Sequence, residues 1–189
     1  MPRPKRPQHY YDEIKDKFRE ERNLRLGYRP PGTDQYTSEL SGDLAKYAVD
    51  PYAKDVPTRE PITDEVEVLF IGGGFSALLT SARLRERGLE SIRIVERGSD
   101  VGGTWYWNRY PGAACDVVSY DYLPLLDELD YVPVNHYSRG PEIFSHCQAI
   151  AHKYNLYDLA VFNTTVTETR WDQTHHHWHV KPDQGDQMR

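Results

Sequence analysis

Cysteine and long apolar runs are scarce in this sequence of 189 residues. Its 2 cysteines, Cys115 and Cys147, exclude a disulfide framework and a paired-cysteine zinc site, so a reducing compartment is the simplest expectation. No stretch approaches the roughly 18 consecutive apolar residues of a membrane span, and the start lacks the apolar core of a secretion signal. We therefore expect a cytoplasmic protein with no membrane span.

Positive charge is also in short supply, with 23 Lys and Arg against 29 Asp and Glu and a formal net charge of −6. This balance offers no polycationic surface to a phosphate backbone, so nucleic-acid binding is disfavoured. The 14 Tyr, 5 Phe and 4 Trp are too many for a disordered acidic tail. The expected organisation is one folded domain, or one domain with an arm.

Composition changes at Val66, and this change divides the chain. We predict a mostly helical N-terminal arm over residues 1–61, followed by a partial α/β domain over residues 62–189. The basic start of the arm is interpreted as a solvated end, with a targeting or docking signal as the alternative.

Within the arm, Tyr11, Ile14 and Phe18 recur at helical spacing among charged residues, and Gly27 supplies a stop. This pattern predicts one amphipathic helix. A second short helix is expected over about residues 38–48, before an extended stretch punctuated by prolines.

The domain begins with the pattern of a strand, a tight turn and a helix. Val66 to Ile71 is a short, mostly apolar run, three glycines follow at once, and apolar residues then recur at helical spacing. Ile92 to Glu96 is a second short apolar run. The unit has the roughly 30-residue length of a βαβ crossover, so its two strands should be parallel.

The turn carries a dinucleotide-binding pattern. The segment from Gly72 to Ala77 fits GxGxxG/A, in which Gly72 allows the tight turn, Gly74 lets a pyrophosphate approach the backbone, and Ala77 lets the helix pack on the strand. The phosphates are expected at the helix N-terminus. A glycine turn that binds nothing is the alternative.

Glu96, at the end of the second strand, bears on which cofactor is bound. A carboxylate there accepts hydrogen bonds from both ribose hydroxyls but repels the 2′-phosphate of NADP. The residue therefore favours FAD or NAD, unless it is only a solvated strand end.

Two later elements are expected to support this unit. Pro141 opens a predicted helix with an apolar stripe that makes Cys147 a core residue. A hairpin is predicted from the alternation around Val166 and again at Trp178 and Val180.

The hairpin carries a run of histidines, His175 to His177 together with His179. Histidines two apart on a strand can share one face and a metal. Since no carboxylate or cysteine pattern accompanies the run, we expect a polar hairpin tip and no metal.

The tract from Glu96 to Asp116 is unusually rich in glycine and aromatic residues. Gly102 and Gly103 let the backbone pass close to another group, and the aromatic side chains that follow are flat, rigid surfaces beside which a planar ring system could be enclosed. Aromatic residues of this kind are more often part of a core, and that alternative stays open.

These residues resemble those of a known family, the flavin-dependent Baeyer–Villiger monooxygenases. The match lies in Gly72 to Ala77, in Glu96 and Arg97, and above all in the sequence GGTWYWNRYPG at residues 102–112, followed by Cys115 and Asp116. Ala77, where members commonly have glycine, is a mild departure. The arm also resembles that of the longer members.

The resemblance implies a partial Rossmann-like FAD-binding unit in an enzyme that uses NADPH and oxygen to convert a ketone into an ester or lactone. It also implies that Asp116 has a catalytic role, in orienting an arginine near the flavin. The cofactor-binding residues that it implies are Gly72, Gly74, Ser76, Glu96, Thr104, Trp105, Tyr106, Trp107, Asp116, Tyr122 and Val166.

The sequence contains no second GxGxxG motif for NADP and no FxGxxxHxxxW fingerprint. The expectation is therefore that this is the first part of such an enzyme, whether as a fragment, a truncated product or one component that a complementing chain completes. By itself the chain is expected to be inactive. A non-catalytic FAD-binding remnant or interaction module is the alternative function.

Overall fold

The computed structural model describes residues 7–27, 41–54, 56 and 58–189. Contacts divide the chain into two compact units, Met1–Val49 and Asp50–Arg189. Residues 50–61 therefore group with the second unit, and the domain boundary at residue 61 stays a prediction. Among the described residues, no helix is both long and apolar enough to cross a membrane.

The first unit contains helix α1, Gln8–Gly27, and a 3-10 helix, Gly42–Ala48. The predicted amphipathic helix is thus confirmed as a helix, but none of its residues is buried. Ion pairs one turn apart support it, such as Arg19 with Asp16 at 2.9 Å. Of the second predicted helix, residues 38–40 lie outside the described residues.

The βαβ unit is confirmed. Strand β2 is Val68–Ile71, helix α2 is Phe75–Glu86 and strand β3 is Ile92–Val95, and the two strands pair in parallel. A strand β4, Ala160–Val161, adds to the far side of β3 and completes a three-stranded sheet in the order β2-β3-β4.

A second sheet has four strands: β1, Thr63–Asp64; β5, Val166–Asp172; β6, His177–Pro182; and β7, Gln187–Met188. Their order in the sheet is β1-β7-β6-β5. The predicted hairpin is confirmed as antiparallel β5 and β6. Strand β1 pairs in parallel with β7 and forms one edge of the sheet.

Four α-helices and a short 3-10 helix, Tyr157–Leu159, follow β3 along the chain. Three are single turns, α3 (Thr104–Trp107), α4 (Ser119–Tyr122) and α5 (Leu126–Leu129), and the fourth is the predicted long helix α6, Gly140–Lys153. Helix α6 packs against α2.

The core lies between α2, α6 and the three-stranded sheet. Cys147 is fully buried in it, as predicted, and burial raises the pKa of its thiol to about 12, so the thiol is not a nucleophile. The other buried members are Leu78, Ala82, Ile94, Val101, Leu125, Ile150, Ala151 and Leu156.

Candidate functional site

The site begins where β2 ends and the chain turns into α2. Gly72 has a φ of +98°, a conformation that side chains rarely tolerate, and its N–H donates to the carbonyl of Val95 on β3 at 2.8 Å. The glycine is therefore needed for the tight turn, and the turn is fastened to the neighbouring strand.

Helix α2 starts immediately after this turn, with Gly74 as its N-cap. The first N–H groups of a helix have no partner within it and carry partial positive charge. Ser76, in the first turn, is exposed. This end of α2 can therefore receive an anionic group from outside.

Gly102 and Gly103 pack against the glycine turn at residues 72–74. The N–H of Gly102 donates to the carbonyl of Gly73 at 2.9 Å. A Cβ atom on Gly103, whose φ is +52°, would stand 2.9 Å from the Cα of Gly74. Two loops far apart in sequence thus meet backbone to backbone, and only glycine fits at this contact.

Between these loops lies a cleft of about 450 Å³. Six of the eleven predicted cofactor-binding residues line it, namely Gly72, Gly74, Ser76, Thr104, Trp105 and Tyr122. The remaining lining residues are Phe70, Ile71, Phe75, Ala77, Gly102 and Gly103.

One wall of the cleft is aromatic. The indole N–H of Trp105 donates to the hydroxyl of Tyr122 at 2.9 Å, and the rings of Phe75 and Tyr122 meet edge to face with centroids 5.5 Å apart. Burial raises the pKa of Tyr122, so its hydroxyl stays protonated. The wall offers a rigid apolar surface with one hydroxyl.

Glu96 lies beside the glycine turn and is only 4% exposed. Its carboxylate accepts the N–H groups of Gly73 at 2.5 Å and Gly98 at 2.6 Å. It is therefore not a solvated strand end. A carboxylate has about four acceptor positions, so two contacts leave capacity for a further donor.

Tyr106 lies elsewhere, with a ring that is 1% exposed in the core. Its hydroxyl donates to Asp50 Oδ2 at 2.6 Å and lies 2.5 Å from the hydroxyl of Ser99. Burial opposes ionisation of Asp50, but hydrogen bonds from Tyr106 and nearby backbone N–H groups outweigh it and lower the pKa of Asp50. The structure gives Tyr106 a packing role and no contact with the cleft.

Glu96 is not among the residues that line the cleft, and neither are three more predicted residues. Trp107 is half-buried with the guanidinium of Arg97 5.4 Å from its ring centre, and Asp116 is exposed. Val166 starts β5 and packs in the core of the second sheet. Their predicted roles stay predictions.

Comparison with known proteins bears on what this cleft is. Residues 71–126 match the model of an NAD(P)-binding Rossmann-like domain. Pentalenolactone D synthase from Streptomyces arenae is 51% identical over 177 residues, covering 93% of this chain and 29% of the relative. A Baeyer–Villiger monooxygenase from Streptomyces coelicolor is 45% identical over 176 residues, again covering 93% of this chain and 29% of the relative.

The chain belongs to the Baeyer–Villiger monooxygenase family. The resemblance drawn from the glycine and aromatic motifs is thereby confirmed. The chain spans about 29% of the length of these relatives.

Solved structures of Baeyer–Villiger monooxygenases agree. A polycyclic ketone monooxygenase from the fungus Thermothelomyces thermophila matches with a TM-score of 0.74 and 31% identity, covering 91% of this chain and 29% of that one. The complex of OTEMO with FAD and NADP matches with a TM-score of 0.61 and 28% identity, covering 65% of this chain and 24% of that one. The Rossmann-like fold expected from the sequence is confirmed.

Sequence reasoning missed parts of this site. Phe75 lines the cleft, but in the sequence it is only one of the apolar residues that recur at helical spacing after the three glycines. Asp50 was placed in the arm, and no periodicity in the sequence connects it with Tyr106, 56 residues away.

One expectation about the hairpin is wrong. A carboxylate does accompany the histidine run, because the pairing of β5 with β6 places Asp172 opposite His177. Oδ2 of Asp172 lies 3.3 Å from Nε2 of His179. The signal available in the sequence was Asp172 itself, just before the turn.

Proposed function

We propose that this chain is the FAD-binding part of a Baeyer–Villiger monooxygenase, an enzyme that uses NADPH and oxygen to convert a small-molecule ketone into an ester or lactone. The observation that carries the proposal is the cleft in which a glycine turn, a helix N-terminus and an aromatic wall meet. When bound, the flavin supplies the redox and oxygen chemistry, and the protein positions and shields it.

The residues present fit the cofactor. The glycine turn that begins at Gly72, together with the N–H groups that begin α2, suits a pyrophosphate. The free acceptor capacity of Glu96 suits a ribose hydroxyl. The wall of Phe75, Trp105 and Tyr122 suits the face or edge of a planar ring.

Relatives support the same assignment, since OTEMO was solved as a complex with FAD and NADP. In this proposal FAD takes the Gly72 site and NADPH is a co-substrate. The NADPH site and the arginine that Asp116 orients belong to the part of the enzyme that the chain does not span, or to a complementing chain that carries it.

Cofactor titration of the purified chain tests the binding claim. FAD should bind and lose fluorescence, while NADP should bind at least about tenfold more weakly, because its 2′-phosphate meets Glu96. Equal or tighter binding of NADP would contradict the assignment.

A charge placed at the helix start separates binding from folding. Ser76→Glu puts a negative charge where the pyrophosphate is proposed to bind, so we expect FAD affinity to fall roughly tenfold or more. The same charge favours the helix, since it lies near the positive end of the dipole. Thr80→Glu, at an exposed position one turn further along α2, is the matched control and should bind FAD as the unaltered chain does.

Turnover by the 189-residue chain is a separate question. Asp116 is exposed, away from the residues that line the cleft, and oxygenation requires a reacting centre that is shielded from water. Incubation with FAD, NADPH and a panel of cyclic and aryl ketones should yield no ester above a protein-free control. Lactone from the purified chain would show that the chain completes an active site by itself.

A further inference from the structure

The hairpin of β5 and β6 brings together side chains that the FAD-binding proposal does not use. His177 and His179 are two apart on β6 and therefore share one face of the strand. Asp172 is directly opposite His177 on β5, so it lies on the same face. The three ligand atoms all lie within 4.8 Å of one another.

The separations match a coordination sphere. Nε2 of His177 and Nε2 of His179 are 3.2 Å apart, and Nε2 of His179 is 3.3 Å from Oδ2 of Asp172. Zinc bonds to nitrogen and oxygen are about 2.0 to 2.1 Å long, so ligand atoms at the corners of a tetrahedron around zinc lie about 3.3 Å apart. These pairs therefore already have the spacing of metal ligands.

The turn orients the carboxylate. Oδ1 of Asp172 accepts the backbone N–H groups of Thr174 at 2.8 Å and His175 at 3.0 Å. This leaves Oδ2 facing the histidines, where Nδ1 of His175 also reaches it at 3.0 Å. Partners that fix a ligand in this way usually raise metal affinity.

The cluster is open on one side. The side chains of Asp172 and His179 are 19% and 39% exposed, so an ion can enter and a water molecule can complete its coordination. Two imidazoles and one carboxylate form a set of nitrogen and oxygen ligands that zinc accepts.

We propose that Asp172, His177 and His179 form a site for one divalent first-row transition-metal ion of the zinc class. The metal links β5 to β6 at the tip of the hairpin, with His175 holding the carboxylate. The site is independent of FAD binding, because it shares no residue with the cleft.

Metal titration of the full chain, first stripped with a chelator, tests the site. Zn²⁺ should bind with a stoichiometry of one per chain by calorimetry. Co²⁺ should produce the intense visible absorption of a four-coordinate ion, and Zn²⁺ should abolish it. Absence of that absorption, or binding of several ions with no defined stoichiometry, would overturn the proposal.

Variants distinguish a built site from chelation by an exposed histidine run. His177→Ala, His179→Ala and Asp172→Asn should each weaken Zn²⁺ binding at least about tenfold, since each removes a ligand. His176→Ala is the matched control, because its ring lies beside Trp171 and outside the cluster, and it should change affinity less than about twofold. Equal losses in His176→Ala and His177→Ala, or unchanged binding in Asp172→Asn, would contradict the proposed ligand set.

A second variant and a folding control keep this test decisive. His179→Gln retains a polar side chain of similar reach but offers zinc a poor ligand, so it should lose binding as His179→Ala does. Circular dichroism of every variant should match the unaltered chain, because the substituted side chains are not fully buried. Zinc binding that survives both substitutions at position 179 would exclude this histidine as a ligand.

Discussion

The two sheets of this protein build their sites in different ways. The three-stranded parallel sheet supports a cleft beside which two glycine loops meet backbone to backbone and a helix begins. The four-stranded sheet supports a cluster made of side chains, whose members face one another only because β5 and β6 pair in one register. The contact between the glycine loops depends on the absence of side chains, whereas the cluster depends on their placement. Different substitutions should therefore disrupt each of them.

The largest expected effect concerns residues 50–61, which precede β1. Two of these residues make hydrogen bonds to distant parts of the domain. A chain that begins at Asp50 keeps Asp50 against Tyr106 and Arg59 against Asp186, whereas a chain that begins at Ile62 loses both contacts. Since a buried charge without its partner costs about 3 to 5 kcal/mol, we expect the shorter chain to be largely unfolded. Urea unfolding of both truncations is the measurement.

Comparable stability of the two truncations would show that residues 50–61 are part of a peripheral arm, as the predicted boundary at residue 61 has it.

The next largest effect tests the close contact between the two glycine loops. Gly103→Ala places a Cβ 2.9 Å from the Cα of Gly74 at a φ of +52°, so a clash and backbone strain add up to about 3 kcal/mol of lost stability. Gly112→Ala is the matched control, because Gly112 also has a positive φ of +86° but nothing lies within 4 Å of its added Cβ. That variant should lose only about 1 kcal/mol. Similar losses in chemical denaturation would mean that close packing of the two loops is unimportant.

Much of the cleft and of the turn beside it could be predicted from the sequence, because the sequence signals for them are local. The turn at Gly72, the helix that follows and the carboxylate of Glu96 all lie within one βαβ unit, and each has a known role at a fixed spacing. The family resemblance extended this to Trp105 and Tyr122, which also line the cleft.

The rest depends on pairing between distant segments. Strands β1, β4 and β7 have two residues each, which is too short for any alternation to show. The burial of Tyr106 follows from its contact with Asp50, and the placement of Asp172 follows from the hairpin register. Such contacts leave no periodic trace in a single sequence.

A smaller effect is expected at Asp186, which directly precedes β7, is 1% exposed and is bound by both terminal nitrogens of Arg59 at 2.6 and 2.5 Å. Asp186→Ala removes this pair and the acceptor for the N–H of Ile62, so we expect a loss of about 2 kcal/mol near neutral pH. Thermal or urea unfolding measures the difference.

Acid should reduce that difference. Because Arg59 lowers the pKa of Asp186, the pair stabilises the fold fully above the usual aspartate pKa of about 3.9 and loses its contribution as the pH falls through the lower pKa of the folded state. The free energies of unfolding of the two proteins should therefore converge below about pH 4. A difference that stays constant with pH would mean that the loss comes from packing alone.

The smallest effect is expected on the face of the hairpin opposite the histidine cluster. Trp171 and Trp178 are paired across β5 and β6 with ring centroids 5.4 Å apart, but they are 41% and 54% exposed. An exposed cross-strand pair contributes roughly 0.2 to 1 kcal/mol, so a double-mutant cycle with Trp171→Ala and Trp178→Ala should give a coupling energy in that range. The Trp171→Ala variant should also bind Zn²⁺ as the unaltered chain does, because the two faces of a strand are separate.

A coupling energy above about 2 kcal/mol would exceed what such an exposed pair supplies and would mean that this face is covered in solution. Loss of Zn²⁺ binding in Trp171→Ala would show instead that the pair sets the register on which the histidine cluster depends.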